Sequence, residues 1–147
     1  MDAAIWVAII GGAFSIFAIF FKNWNQERRV NIAVLAELQR LLTVLKEHEA
    51  WWEECVQKND TAFPLIPFLT PIFDHHEKNM GQIDTTMVAK VVNFYGYVKF
   101  INLLQAERAH YTGKSKEFDH QYLAALKRIV RDYEGQFVDA FGRFGLA

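Results

Sequence analysis

The apolar positions at the start of the chain form one continuous run instead of a stripe. No charged residue occurs from Ala3 to Phe21, where Ile, Phe, Val, Ala and Trp accompany two glycines. A helix of this length extends about 28 Å at ~1.5 Å per residue, close to the thickness of a bilayer's hydrocarbon core. Trp6 and Trp24 flank the run about 27 Å apart, where aromatic belts lie at membrane interfaces. The pattern predicts one transmembrane helix, with residues 1–23 as the anchor.

The charges around this run predict its orientation. A cleavable signal peptide needs basic residues before its apolar segment, and this chain has only Asp2 there. Lys22, Arg28 and Arg29 follow the run closely, so the positive-inside rule places the rest of the chain in the cytoplasm and the N-terminus outside. The single cysteine, Cys55, suits a reducing compartment. We therefore expect a single-pass protein of the inner membrane.

Beyond the anchor the apolar positions take up a helical period. Neither Pro nor Gly occurs between Gly12 and Pro64, so the membrane helix is predicted to continue unbroken to about Lys58. A seam of apolar residues at alternating steps of four and three is typical of a helix face that packs against a neighbour. Its members are Val34, Leu38, Leu41, Leu45, His48 and Trp52, followed by Cys55. We expect this stalk seam to face the core and to align neighbouring copies.

Residues 61–70 form an apolar segment that cannot be a regular helix. Pro64 and Pro67 each remove a backbone donor and clash with a preceding helical turn. We expect a loop at the distal end of the bundle, either filling the end of the core or contacting a partner. The residues offered for partner contact are Phe63, Leu65, Ile66, Phe68 and Phe73.

Three further helices follow from caps and periodicity. Thr70 and Pro71 resemble an N-cap and a first helical position, which predicts a short helix to Met80. A third helix is predicted from Thr85 to about Tyr111, and a last one from Ser115 to about Ala140. Residues 24–147 are thus predicted to form a cytoplasmic antiparallel bundle of about three long helices plus a short one. The third helix is expected to run back toward the membrane, which would place the turn at residues 112–114 near it.

Composition narrows the possible functions. The 147 residues carry a net charge of −1 with both signs mixed along the chain, which gives no basic stripe for nucleic acid. The length suits one domain plus an anchor. No phosphate-binding loop, nucleophile elbow or zincin motif is present. The sequence therefore favours a non-enzymatic protein without a cofactor, and the lipid bilayer is its first expected partner.

Two patterns invite a metal hypothesis. Glu107 with His110 and Glu117 with His120 have the Glu-x-x-His spacing of di-iron bundles, and Glu37 could lie at a similar height. The helical phase argues against such a site, because His120 and Glu117 fall on the polar face of their helix.

A second cluster comprises residues 74–77, with the sequence Asp-His-His-Glu, together with His48 and Cys55. These groups are of the types that bind zinc, but adjacent histidines on a helix point in different directions. His48 and Cys55 lie about 10 Å apart along one helix, too far for a nucleophile and its base. The simpler interpretation is a buried histidine, a small apolar cysteine and a solvated turn, which leaves no metal site and no catalytic residue assigned.

The middle of the chain resembles a stretch found in small bacterial membrane-anchored proteins. The likeness rests on Asn79, the Gly-Gln-Ile-Asp turn at residues 81–84, and the Val-Val-Asn-Phe-Tyr run at residues 91–95. It implies an N-terminal span before a helical domain and implies no activity.

Small residues in the predicted span point to assembly. Ala8, Gly11, Gly12, Ser15 and Ala18 recur at steps that place them on one side of a helix, where small side chains let membrane helices approach closely. We therefore expect a homo-oligomer or a small subunit of a larger membrane complex. The alternative is an oligomeric pore or effector, for instance in antiphage defence, that depolarises the membrane.

Overall fold

The computed structural model describes residues 3–58, 66–76, 85–110 and 116–146, and for residues 3–14, 109 and 110 it describes the backbone alone. The described part of the chain is all-helical, with 89% of it in about five helices. Helix α1 spans Ala3–Gln57, α2 Pro71–His76, α3 Thr85–His110, α4 Lys116–Glu134 and α5 Val138–Arg143.

Helix α1 is continuous through the predicted boundary between anchor and stalk, as the absence of Pro and Gly after Gly12 predicts. It ends at Gln57, one residue before the predicted limit. Within the part of the chain whose side chains are described, no helix is both long and apolar enough to cross a bilayer.

The core forms where α1, α3 and α4 bring their apolar stripes together. The stalk seam is the contribution of α1. Helix α3 contributes the stripe that includes Phe94 and Val98, and α4 contributes the stripe that includes Leu126 and Ile129. The predicted helical periods are confirmed, since each stripe is buried along its length.

The predicted direction of the third helix is wrong, whereas α3 and α4 run antiparallel to each other, as predicted. Val34 of α1 accepts a hydrogen bond from Tyr95 of α3, and further along both helices His48 and Gln105 meet at the same hydroxyl. Helices α1 and α3 therefore run parallel. Helix α4 runs antiparallel to α1, because its start lies beside Trp52 and its end beside Lys46.

The reason for this reversal is the connection after α1. Short turns make sequential helices antiparallel, but the chain between α1 and α3 is long and contains prolines. Its described part does not sit at the end of the bundle. It runs back along α1, with Phe68 beside His48 and Phe73 bonded to Glu37. The turn at residues 112–114 lies outside the described residues, and its flanks Arg108 and Asp119 pair at the Trp52 end of α1.

The last predicted helix is two helices. Helix α4 ends at Glu134 and α5 begins at Val138, with a tight turn closed by the Gln136 amide donating to the Tyr133 carbonyl at 3.1 Å. Gly135 lies in this turn, and glycine weakens a helix by about 1 kcal/mol relative to alanine. The short α2 begins at Pro71 as predicted and is helical to His76, and residues 77–80 of its predicted extent lie outside the described residues.

Candidate functional site

The part of α1 before Val30 presents apolar side chains to its surroundings. Six large apolar residues here are between 52% and 69% exposed, namely Ile16, Phe17, Ile19, Phe20, Phe21 and Trp24. Because successive residues are turned by about 100° on a helix, these six cover about 200° of its circumference, and Ser15, Ala18 and Lys22 lie on the remaining side. An exposed apolar face this broad is ordinarily buried in protein or in lipid. This segment is therefore the most unusual surface of the described chain.

The apolar surface ends in an aromatic and cationic cluster. The Phe17 and Phe21 rings stack at 6.2 Å, Phe21 lies 6.0 Å from Trp24, and the Arg28 guanidinium lies 5.9 Å from the Trp24 ring. Lys22 and Arg29 are exposed beside them. An amphipathic Trp followed by basic side chains is the arrangement expected where an apolar helix leaves a membrane.

The predicted packing face is described only in its second half. Ser15 and Ala18 are exposed on α1. The backbones of Ala8, Gly11 and Gly12 belong to α1, but their side-chain surroundings, like those of Trp6, lie outside the described residues.

The stalk seam is covered by the chain's own helices. All six of its residues, from Val34 to Trp52, are at most 4% exposed. The indole N–H of Trp52 donates to the Asp119 carbonyl at 3.3 Å, and Val34 contacts α3 through the Tyr95 hydroxyl. In this structure the seam builds the core of one chain and presents no surface to a neighbouring stalk.

Of the residues predicted to contact a partner, some are buried, one is exposed and two are not described. Phe63 and Leu65 lie outside the described residues. Phe68 and Phe73 are buried in the core, and Ile66 is exposed. The described part of this apolar segment thus places Phe68 in the core and leaves Ile66 and Leu69 exposed.

Residues 66–76, called the strap below, are held between α1 and α3 by polar side chains. The Asn102 side chain accepts from the Phe68 amide and donates to the Phe68 carbonyl, both at 2.8 Å. Arg40 donates to the Leu69 carbonyl at 2.9 Å. Lys99 pairs with Asp74 at 3.1 Å. Each of these side chains binds either a backbone group or a charged side chain of the strap. Together they fix the position of the strap between α1 and α3.

The strongest of these anchors is the carboxylate of Glu37. It is 4% exposed and accepts from the Ile72 and Phe73 amides, both at 2.9 Å. These amides belong to the first turn of α2, where backbone donors lack partners within the helix. Sequence reasoning predicted Thr70 as the cap, but the Thr70 hydroxyl donates to Asp74 at 2.8 Å and the remote Glu37 caps the helix. Glu37 is therefore occupied structurally and does not face a metal.

His48 lies in a buried aromatic pocket. Its ring is 5.3 Å from Phe68 and 5.5 Å from Trp52, and its Nε2 lies 3.1 Å from the Tyr122 hydroxyl. Gln105 donates to that hydroxyl at 2.8 Å, which leaves the Tyr122 proton available to His48. The His48 Nδ1 has no hydrogen-bond partner among the described residues. Burial lowers the pKa of His48 below its ordinary value of 6.5, which keeps the imidazole neutral.

The remaining titratable groups do not gather into a reactive centre. In the described part of the chain, no three His, Cys, Asp or Glu side chains come close enough to hold a metal ion. Glu107, Glu117 and His120 are exposed, and the side chain of His110 lies outside the described residues. Cys55 is a buried thiol, and the pair formed by Arg108 and Asp119 joins α3 to α4 at 2.9 Å.

Sequence reasoning missed the outward face of α3. Val92, Gly96, Phe100 and Leu103 are exposed there, on the side away from the core stripe. The available signal was the scarcity of charge, since Lys99 alone is charged between Val91 and Gln105. A surface helix ordinarily carries charged residues on its solvent side.

Comparisons with models of protein families, with curated proteins and with solved structures find no match.

Proposed function

We propose that this chain is a membrane-anchored, non-enzymatic helical protein that acts by assembly. Residues 3–21 cross the inner membrane, and residues 24–147 form a cytoplasmic bundle that meets copies of itself or the other subunits of a membrane complex. The observation that carries the proposal is the exposure of six large apolar side chains over more than half of the circumference of α1 between Ile16 and Trp24. Water is a poor solvent for such a surface, whereas a bilayer is a good one.

The spacing along α1 supports this placement. The last apolar residue of the run is Phe21 and the first buried residue of the bundle is Val30. The intervening turns extend about 13 Å at ~1.5 Å per residue, and they carry Trp24, Arg28 and Arg29. The headgroup region on each side of a bilayer is about 5 to 8 Å deep and favours these residue types, so these turns are long enough to cross it. The bundle then begins about 6 to 8 Å beyond the headgroups.

Membrane insertion is tested by placing charge on the exposed apolar segment. The full chain with Phe17→Lys and Phe20→Lys should leave the membrane fraction. A lysine costs about 3 kcal/mol at the centre of a span, and two lysines in its second half together still oppose insertion. Both side chains are exposed, so the substitutions spare the core. The matched control carries Thr43→Lys and Ala50→Lys, which are exposed positions on the same helix within the bundle. Retention of the Phe17/Phe20 variant after alkaline extraction would overturn the proposal.

Assembly is tested by the mass of the particle extracted gently from membranes, with the co-purifying proteins identified. Gly12→Leu should release subunits from the particle, whereas Ile10→Leu, which changes shape without adding bulk, should not. A monomer in the unmodified protein would overturn assembly through the span. If expression of the protein collapses the membrane potential and Gly12→Leu prevents that collapse, the protein is an oligomeric pore. This result would overturn the proposal that it acts by assembly alone.

A further inference from the structure

We propose that the outward face of α3 is the surface through which the cytoplasmic bundles of two copies of this chain pack together. The face consists of Val92, Gly96, Phe100 and Leu103, which follow one another at steps of four, four and three residues. All four are exposed, and Leu103 is 68% exposed. The inference rests on the proposed function, which brings copies together in the membrane, and it names the contact they make outside it.

The α3 face lacks the charges that keep a helix surface in water. The exposed positions between Val91 and Gln105 are Val92, Asn93, Gly96, Tyr97, Phe100 and Leu103. None is charged, and Lys99, which is half-buried at the edge of the face, is paired with Asp74 at 3.1 Å. Helix α4 differs, because it exposes Lys127, Arg128, Arg131 and Glu134. Helix α3 is therefore apolar on both sides, although the described chain covers only one of them.

Gly96 is the second observation that points to a partner helix. Glycine inside a helix costs about 1 kcal/mol relative to alanine. Nothing lies within 4 Å of a Cβ added at Gly96, and its backbone does not have the positive φ that favours glycine. The described chain therefore gives no reason for a glycine there. Between Val92 and Phe100, a residue without a side chain provides a notch in which a second helix approaches closely.

The orientation of α3 selects a second copy as the occupant. Helix α3 runs parallel to α1, so its outward face extends along the axis of the anchor. In a chain held in a bilayer by α1, this face looks sideways, toward neighbours in the same membrane, and not onto the lipid surface. A two-fold axis along the anchor brings two α3 helices together in parallel with Gly96 facing Gly96. Between Val92 and Leu103 the face carries no charge, so two identical copies meet there without repulsion, and the exposed Glu107, one turn further on, marks its end.

The test is cysteine cross-linking of the full chain in native membranes, in a Cys55→Ala background. Phe100→Cys should give a disulfide-linked dimer of two copies on mild oxidation. Val138→Cys is the matched control, because Val138 is also an exposed apolar residue but lies on α5. Adding Leu103→Lys or Gly96→Leu to the Phe100→Cys protein should reduce the linked fraction about tenfold, corresponding to about 1.4 kcal/mol. Neither substitution disturbs the core, so the melting temperature of the detergent-solubilised monomer should stay within a few degrees.

The outcomes separate this inference from the proposed function. In one outcome the particle is a discrete oligomer, and Ser15→Cys cross-links within the membrane but Phe100→Cys does not. This outcome would overturn the α3 contact and leave assembly through the span intact. Cross-linking of Phe100→Cys to a protein of a different mass would overturn the second copy as the occupant. A monomeric particle with no cross-link at either position would overturn both.

Discussion

The carboxylate of Glu37 on α1 accepts a hydrogen bond from the Tyr95 hydroxyl of α3 at 3.0 Å. The same carboxylate caps α2, so one buried side chain joins three helices. Burial, and after it the neighbouring Glu37 charge, raises the pKa of Tyr95 far above its ordinary value. The hydroxyl therefore keeps its proton and donates it. The position of the strap depends on this junction.

Replacement of Glu37 should destabilise the bundle more than any exposed substitution. Glu37→Ala leaves two backbone amides without their acceptor in a buried site, while the Tyr95 hydroxyl keeps the Val34 carbonyl at 3.2 Å. The loss should lower the free energy of unfolding by about 3 kcal/mol. Glu47→Ala, an exposed position on the same helix, is the matched control and should change it by less than about 0.5 kcal/mol. Denaturant unfolding followed by circular dichroism measures both, and equal midpoints would contradict the role given to Glu37.

The two hydrogen bonds between the Asn102 side chain and the Phe68 backbone should each contribute to stability. Asn102→Ala removes both hydrogen bonds to Phe68 and should lower the free energy of unfolding by about 2 kcal/mol. Asn102→Asp keeps the acceptor but loses the donor, so its effect should be intermediate. Hydrogen exchange at residues 66–70 should rise in the alanine variant. Asn93→Ala, at an exposed position on the same helix, should leave that exchange unchanged.

The buried His48 should make stability depend on pH. Burial lowers its pKa in the folded state below 6.5, so below that pH the unfolded chain binds more protons than the folded chain does. The free energy of unfolding should therefore fall as the pH drops through 6.5 toward the lower folded-state value. His48→Gln, which retains a side chain able to bond Tyr122, should remove this part of the pH dependence. Thermal melts between pH 7.5 and pH 5 measure the slope, and identical slopes in both proteins would contradict the prediction.

Asp74 should add a separate loss of stability at lower pH. Burial raises its pKa, but the Thr70 hydroxyl and the Lys99 ammonium lower it by more, so the net shift is below the ordinary value of 3.8. The stability it contributes is present above pH 3.8 and is lost as the pH falls through the lower, folded-state value. Asp74→Asn should flatten the stability profile below pH 4 while leaving the region around pH 6 as it is. Melting temperatures between pH 2.5 and pH 7 separate the two windows.

Two glycines near the end of the chain should respond oppositely to alanine. Gly145 has a φ of 71° after α5, and the amides of Gly145 and Leu146 close that end by donating to Gly142 and Phe141. Gly145→Ala should therefore cost about 1 kcal/mol, because alanine is strained in the left-handed region. Gly142→Ala, inside α5 with open space around it, should be neutral or stabilising. Comparison of the two melting temperatures tests whether Gly145 alone needs the left-handed conformation, and equal shifts in the two variants would count against it.

Local pattern was enough to predict where the long helices lie, but not the break between α4 and α5 at Gly135. The steps of three and four along α1 predicted which of its residues are buried, because the helical period fixes which side chains share a face. The same pattern predicted that α1 is continuous from Ala3, since nothing in its sequence breaks a helix.

Tertiary structure decided how these helices are arranged and which surfaces remain open. The strap's return along α1 reversed the predicted direction of α3, because contacts such as Glu37 with Phe73 join residues that are distant in sequence and leave no local pattern. The burial of the stalk seam likewise followed from α4 covering it. Only then did Phe100 and Leu103 emerge as an uncovered apolar face, since exposure depends on what the rest of the fold leaves unfilled.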